Sequence, residues 1–178
     1  LNLNASFARH TPKPGQLAFI SQSKGLCAST LDWAYTDQIG FSFFVSLGNA
    51  IDVRFHNLID YFGNDPGTLG LILYIVSIRD VRAFMSAARA FSRNKPIVAF
   101  KSGRFAKSAE AAASHARIMI GEDAVYDAAF QRAGIVRISQ IDDIFDCAEL
   151  LSRQRTPRGA RLGIITNAWE PGVAAVDA

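Results

Sequence analysis

The sequence predicts an α/β protein: a flavodoxin-like, doubly wound parallel sheet in a three-layer αβα sandwich. Two observations carry this. Short apolar runs rich in β-branched and aromatic residues alternate with longer amphipathic segments, the pattern of strands joined by crossover helices. Several of these runs, "LGLILYIV" above all, are apolar almost throughout, as strands covered on both faces must be.

Taken in order, "LAFIS" (17–21) is the first strand, followed by a helix from Gly25 to Asp37. "FSFFVSL" (41–47) is the second, with a helix over Val53 to Phe62 behind it. "LGLILYIV" (69–76) is the third, and "DVRAFMSAARAFSRN" is a helix from Asp80 to Asn94. "IVAFK" (97–101) is the fourth strand. The helix "EDAVYDAAFQRAG" (122–134) starts acidic, carries Arg132 near its end and stops at Gly134, in keeping with the helix dipole and with glycine as a terminator. "IVRI" (135–138), a helix "QIDDIFDCAELLSRQ" (140–154) and a sixth strand "LGIIT" (162–166) complete the alternation. A last helix begins after it, with Pro171 near its first turn, where a missing N–H does no harm.

Composition narrows the function classes. The 178 residues suffice for about one domain, and 49% hydrophobic with 20% charged residues is an ordinary globular balance. The net charge is +3 with dispersed basic residues, so no stripe for nucleic acid is present. No run approaches the roughly 18 apolar residues of a membrane span and no signal-peptide pattern opens the chain. Cys27 and Cys147 fall inside predicted helices without paired spacing and read as reduced core thiols of a cytoplasmic protein. No Cys, His and carboxylate spacing marks a metal site. Both ends read as cut: the chain opens without Met on "LNLNASFARHTPKPGQ" and stops as a helix begins.

Ligands of open α/β sheets sit beyond the carboxyl ends of the strands, and four such corners stand out. "SQSKG" (21–25) offers serines and helix amides to an anion, or else Ser21 or Ser23 is an N-cap. "SLGNAID" (46–52) reads as a turn, with Gly48 and Asn49 suited to positive φ and Asp52 to capping the next helix. In "KSGR" (101–104), Lys101 and Arg104, with Lys107 beyond, form either a phosphate-attracting edge or a solvated loop. "TNAWEPG" (166–172) is the fourth corner. His115 follows the third corner, and by itself a lone histidine reads as structural.

Together, "LAFISQSKGL", "GFSFFVSLGNAIDV", "LILYI", "KPIVAFKSGR", "AAASHA", "AVYDAAFQRAGI" and "LGIITNAWEPGVAAVDA" resemble the NDP-forming acyl-CoA synthetases. These are the ADP-forming acetyl-CoA synthetases and their succinyl-CoA synthetase relatives. The resemblance implies a linker from a CoA-binding Rossmann domain over 1–16, a succinyl-CoA-synthetase-like flavodoxin domain over 17–158, and the start of a second flavodoxin-like ligase domain over 159–178. It implies that His115 carries phosphate between acyl phosphate and a nucleoside diphosphate, a role that suits a neutral, nucleophilic imidazole. Ser21, Gln22, Ser23, Ser114 and Asn167 would bind the phosphate at helix N-termini. No cofactor is expected on this domain alone. CoA, phosphate and ADP or ATP with Mg are expected on the full-length protein. The implied partners are the Rossmann domain and an ATP-grasp domain of the same protein, in an oligomer.

Four departures stand against the family pattern. Val76 occupies the place of a glutamate that orients the histidine. Ala116 and Arg117 stand for Thr-Gly, Lys24 for Gly, and Trp169 and Glu170 for Gly-Gly. Trp169 obstructs close backbone approach and Glu170 opposes an anion, whereas Lys24 and Arg117 favour one. On balance these changes weaken the relay. The stretch "RAFMSAARAFSRNKPIVAFKSGR" also resembles the corresponding module of Pat-type protein lysine acetyltransferases, which implies an alternative: a non-catalytic acyl-CoA sensor beside a GNAT domain. A purely structural interaction domain on the same fold is the third reading.

Overall fold

The computed structural model describes residues 10–105, 122–154, 157, 159 and 163–177. Five strands form one all-parallel sheet: β1 (Lys13–Ser21), β2 (Gly40–Ser46), β3 (Gly70–Ile75), β4 (Ile97–Lys101) and β5 (Val136–Ile138), in the order β2-β1-β3-β4-β5. This is the flavodoxin-like order. The helices are α1 (Lys24–Thr36), α2 (Phe55–Asn64), α3 (Val81–Ser92), α4 (Asp123–Ala133), α5 (Asp143–Arg153) and α6 (Trp169–Asp177).

Strand alternation sorts the core into two layers. One side gathers Ala18, Ile20, Leu71, Leu73, Ile75, Ile97 and Ala99 under Phe55, Ile59 and Phe62 of α2, Phe84 and Phe91 of α3 and Phe130 of α4. The other gathers Leu17, Phe19, Phe41, Ile72 and Val98 under Cys27 and Ala34 of α1 and Ile144 and Ala148 of α5. Phe19 stacks on Phe44 at 4.7 Å, so β1 is anchored to β2 by rings as well as by the ladder. Each fully buried large side chain contributes about 1.5–3 kcal/mol.

The differences from the sequence-based elements have local causes. β1 begins at Lys13, ahead of the apolar run, and reaches Gly40 on β2 across register shifts between Pro14 and Ala18. The two backbones approach so closely there that a Cβ on Gly15 would lie 2.2 Å from the Gly40 carbonyl. Residues 163–166 of the expected sixth strand pair with no strand among the described residues. In the second corner the positive φ values fall at Gly48 and Ala50, not Asn49. The cap of α2 is Arg54 rather than Asp52, with the Arg54 N–H donating to Asn57 Oδ1 at 3.0 Å. Gly134 ends α4 in the left-handed conformation, φ 69°, as a helix-stopping glycine does.

Candidate functional site

β1 lies between β2 and β3, so the chain leaves the sheet in opposite directions on its two sides. The crevice beyond its carboxyl end is the switch point where ligands of such sheets bind. Ser21, Gln22 and Ser23 fill this corner. Ser21 is buried, and its Oγ accepts from Ser23 N–H at 2.9 Å and lies 3.1 Å from the Ser23 carbonyl. Ser23 is the N-cap of α1, its Oγ accepting from Leu26 N–H at 3.2 Å. Both hydroxyls therefore build the turn.

Gln22, between them, reaches across to the end of β3. Its Oε1 accepts from Val76 N–H at 2.7 Å and from Ser77 N–H at 3.0 Å. Two amide donors on one atom require that atom to be the oxygen, which fixes the half-buried Gln22 with its Nε2 turned away from β3. The first-turn amides of Lys24 and Gly25 have no intrahelical acceptor, and a Cβ on Gly25 would meet nothing within 4 Å. The Gln22 carboxamide thus stands next to the N-terminus of a 13-residue helix, whose free amides and dipole are suited to an anion.

At the third corner the two basic residues diverge. Lys101 shares an inward face with Ile97 and Ala99 and is 1% exposed. Its Nζ donates to the Ser102 carbonyl and lies 4.5 Å from the Tyr126 ring centroid. Burial lowers its pKa to about 8, although the Asp123 carboxylate pulls it upward and Arg137 depresses it further. Lys101 is therefore a buried cation, in neither the outer edge nor the solvated loop expected for it, whereas Arg104 is exposed. Arg104 Nε lies 3.8 Å from Asp123 Oδ2, and the chain turns between them and β4 at Gly103, φ 77°. Arg137 on β5 binds the same carboxylate through Nη2 and reaches Asp127 Oδ1 at 3.4 Å. Asp123, Asp127 and Arg137 were not singled out from the sequence. The available signals were the i,i+4 spacing of the two acids on α4 and the alternation that puts Arg137 on one face of β5.

The fourth corner stands apart. Thr166 Oγ1 accepts from Ala168 N–H at 3.1 Å, a local turn that starts α6, and no residue of α6 is buried. Asn167 and Trp169, the latter 81% exposed, line a groove of about 530 Å³ with Ile164, Val173 and Val176. Among the described residues no hydrogen bond joins this segment to the Ser21–Ser23 corner. Lys107, Ser114, His115, Ala116 and Arg117 lie outside the described residues. Among the described residues no group of three His, Cys, Asp or Glu side chains is placed to hold a metal ion, and no helix is long and apolar enough to cross a membrane.

Residues 14–151 match the model of the succinyl-CoA ligase-like flavodoxin domain. The chain belongs to that family. Among similar members, the acetate–CoA ligase (ADP-forming) of Methanocaldococcus jannaschii is 42% identical over 99% of this chain and 25% of its own length. The alpha subunit of acetate–CoA ligase (ADP-forming) I from Pyrococcus furiosus is 40% identical over 99% of this chain and 38% of its own. A solved structure, the dinucleotide-forming acetyl-coenzyme A synthetase 1 of Candidatus Korarchaeum cryptofilum with phosphate and ADP, superposes with a TM-score of 0.88. It is 37% identical and covers 98% of this chain and 38% of that one. The succinyl-CoA ligase-like flavodoxin chain thus spans 25–38% of the length of these relatives.

Proposed function

We propose that this domain is the CoA-ligase part of a cytoplasmic ADP-forming acyl-CoA synthetase, which converts acyl-CoA, phosphate and ADP to acid, CoA and ATP. The observation that carries the reading is the β1 corner: a carboxamide locked with its donors outward, beside the open N-terminus of α1. A tetrahedral oxyanion suits those donors, and the relatives named for ADP-forming acetate–CoA ligation give the anion its chemistry.

In the proposed sequence, phosphate attacks the thioester carbonyl, the C–S bond breaks and CoA leaves as thiolate. Gln22 Nε2 and the amides of Lys24 and Gly25 hold the phosphate and then the phosphoryl group of the acyl phosphate. The imidazole of His115 attacks phosphorus, and the acyl carboxylate departs with the electrons of the broken P–O bond. A β-phosphate oxygen of ADP then attacks the phosphohistidine, the P–N bond breaks, and ATP and neutral imidazole remain. Preorganised donors favour each step because they need not reorient as charge moves. CoA contacts belong to a Rossmann domain and the nucleotide with its Mg to an ATP-grasp domain of the same protein, assembled as an oligomer. Under this reading, residues 1–16 link to the Rossmann domain and 159–178 open a second flavodoxin-like domain.

Incubating the full-length protein with γ-labelled ATP tests the proposal. Acid-labile label is expected on the wild type and none on His115→Ala. A wild type that takes no label overturns the phosphohistidine step. The relatives named above are ligases, and no observation favours the acetyltransferase-associated alternative.

A further inference from the structure

A small cavity beyond the carboxyl ends of β2 and β3 lies outside the β1 corner. It sits at the N-termini of α2 and α3, with Arg54, His56, Ser77, Arg79 and Asp80 among its lining residues. Its volume is about 10 Å³, room for a single water-sized group. Ser77 is 2% exposed, and its Oγ has no hydrogen-bond partner among the described residues. Strand alternation puts the Ser77 side chain on the side of Leu71, Leu73 and Ile75. Phe55 and Phe84 pack on that side and also line the cavity, so the unpaired hydroxyl faces it. A buried hydroxyl left unbonded is costly, and an occupant would satisfy it.

What surrounds the hydroxyl is rich in donors. No side chain accepts from the first turn of α2, and Arg54 at its N-cap has no acceptor to offer. The amides of Phe55 and His56 therefore lack an intrahelical acceptor. Arg54 and Arg79 add two guanidiniums. Asp80 is the one acid among the lining residues, and it is engaged: Oδ1 accepts from Ala83 N–H at 3.1 Å as the N-cap of α3, and Oδ2 lies 3.9 Å from Arg54 Nη1. We propose that this cavity is a second anion site, which seats one oxygen of a phosphate group on the Ser77 hydroxyl and the α2 amides, its other oxygens facing Arg54 and Arg79. A water alone would satisfy Ser77 but leave the surplus positive charge and the uncapped helix dipole unmatched. The site does not rest on the phosphohistidine reading. Ser77 N–H donates to Gln22 Oε1 at 3.0 Å, so one residue stands between this cavity and the β1 corner. A foothold of one oxygen makes this the weaker site for free phosphate, whereas a phosphate carried by a larger molecule gains from contacts elsewhere.

The test uses the full-length protein and two probes. One is millimolar inorganic phosphate, followed by phosphorus NMR line broadening. The other is CoA against dephospho-CoA, which lacks the phosphate monoester, followed by calorimetry. Ser77→Ala and Arg54→Gln are each expected to weaken at least one probe about tenfold, as loss of a charge-assisted contact does. Urea midpoints without either probe should be unchanged for Arg54→Gln, whose ion pair is exposed, and no lower for Ser77→Ala. Weaker phosphate binding assigns the site to free phosphate, and weaker CoA binding with unaltered dephospho-CoA assigns it to the phosphate monoester of CoA. The same loss is expected in a Gln22→Glu background. If the effect vanishes there, the variants acted through the β1 corner, and this proposal falls while the reading of that corner stands. Equal weakening of CoA and dephospho-CoA, with phosphate unaffected, also overturns it, and no effect on either probe leaves a water only and overturns it.

Discussion

Replacing Lys101 with methionine should make the protein more stable at neutral pH, and the advantage should shrink as the solution becomes alkaline. Lys101 is 1% exposed, and burial lowers its pKa from the ordinary 10.5 to about 8. Below about 8 both folded and unfolded chains hold the proton, and the folded state bears the full penalty of a buried cation. Between about 8 and 10.5 the folded lysine has lost its proton while the unfolded one keeps it, so the unfolded state binds more protons and stability rises with pH. At about 1.4 kcal/mol per pH unit the relief over that interval amounts to about 3 kcal/mol. Methionine nearly matches the lysine stem in volume and adds no strain, but it gives up the Ser102 carbonyl bond and the Tyr126 face, together worth about 1–2 kcal/mol. Urea unfolding of both proteins from about pH 7 to about pH 10.5 measures the gap. Taking the difference cancels Cys27 and Cys147, whose pKa values burial raises. A gap that is flat or widens with pH refutes the reasoning.

Gly134→Ala should lower stability by more than the roughly 1–2 kcal/mol of a left-handed non-glycine residue, because the new Cβ would also lie 2.9 Å from Ser92 Oγ; thermal melting checks it. Gln22→Leu strips the acceptor from Val76 and Ser77 N–H and should cost about 1–3 kcal/mol for each amide left unpaired and buried. Gln22→Glu keeps that acceptor while presenting a carboxylate oxygen to the crevice. It should retain most of the stability and lose phosphate binding by calorimetry in the full-length protein, and equal phosphate affinity in all three proteins would discard Gln22 as a ligand residue.

The sheet was legible because its strands declare themselves twice. A run such as Gly70–Ile75 is apolar on both faces, and helix signals punctuate it at both ends. Gly134 was readable for the same reason, with a basic last turn and a glycine agreeing on one stop. The run 162–166 had the composition of a strand, but composition reports a tendency to extend and be covered, and says nothing of whether a partner strand is at hand. Lys101 was misjudged by its type: charge suggested an outer edge, whereas the two-residue period of β4 had already assigned it to the side of Ile97 and Ala99. The Gln22 latch was beyond reach, since its partners lie 54 and 55 residues away and nothing local encodes them. The ion pairs of Asp123 and Asp127 were half visible, as acids four apart on one helix face, without the arginines that bind them.

The order of the strands has a consequence for how the molecule is made. β2 pairs with β1, β3 with the free side of β1, β4 with β3 and β5 with β4. Every strand therefore docks on one already synthesised, and none must wait for a later strand to arrive between it and its neighbour. A chain emerging N-terminus first can extend this sheet outward from β1 in the sequence in which it is translated. Because Ser77 follows β3 closely, the Gln22 latch can close as soon as the third strand is in place, before β4 or β5 exists.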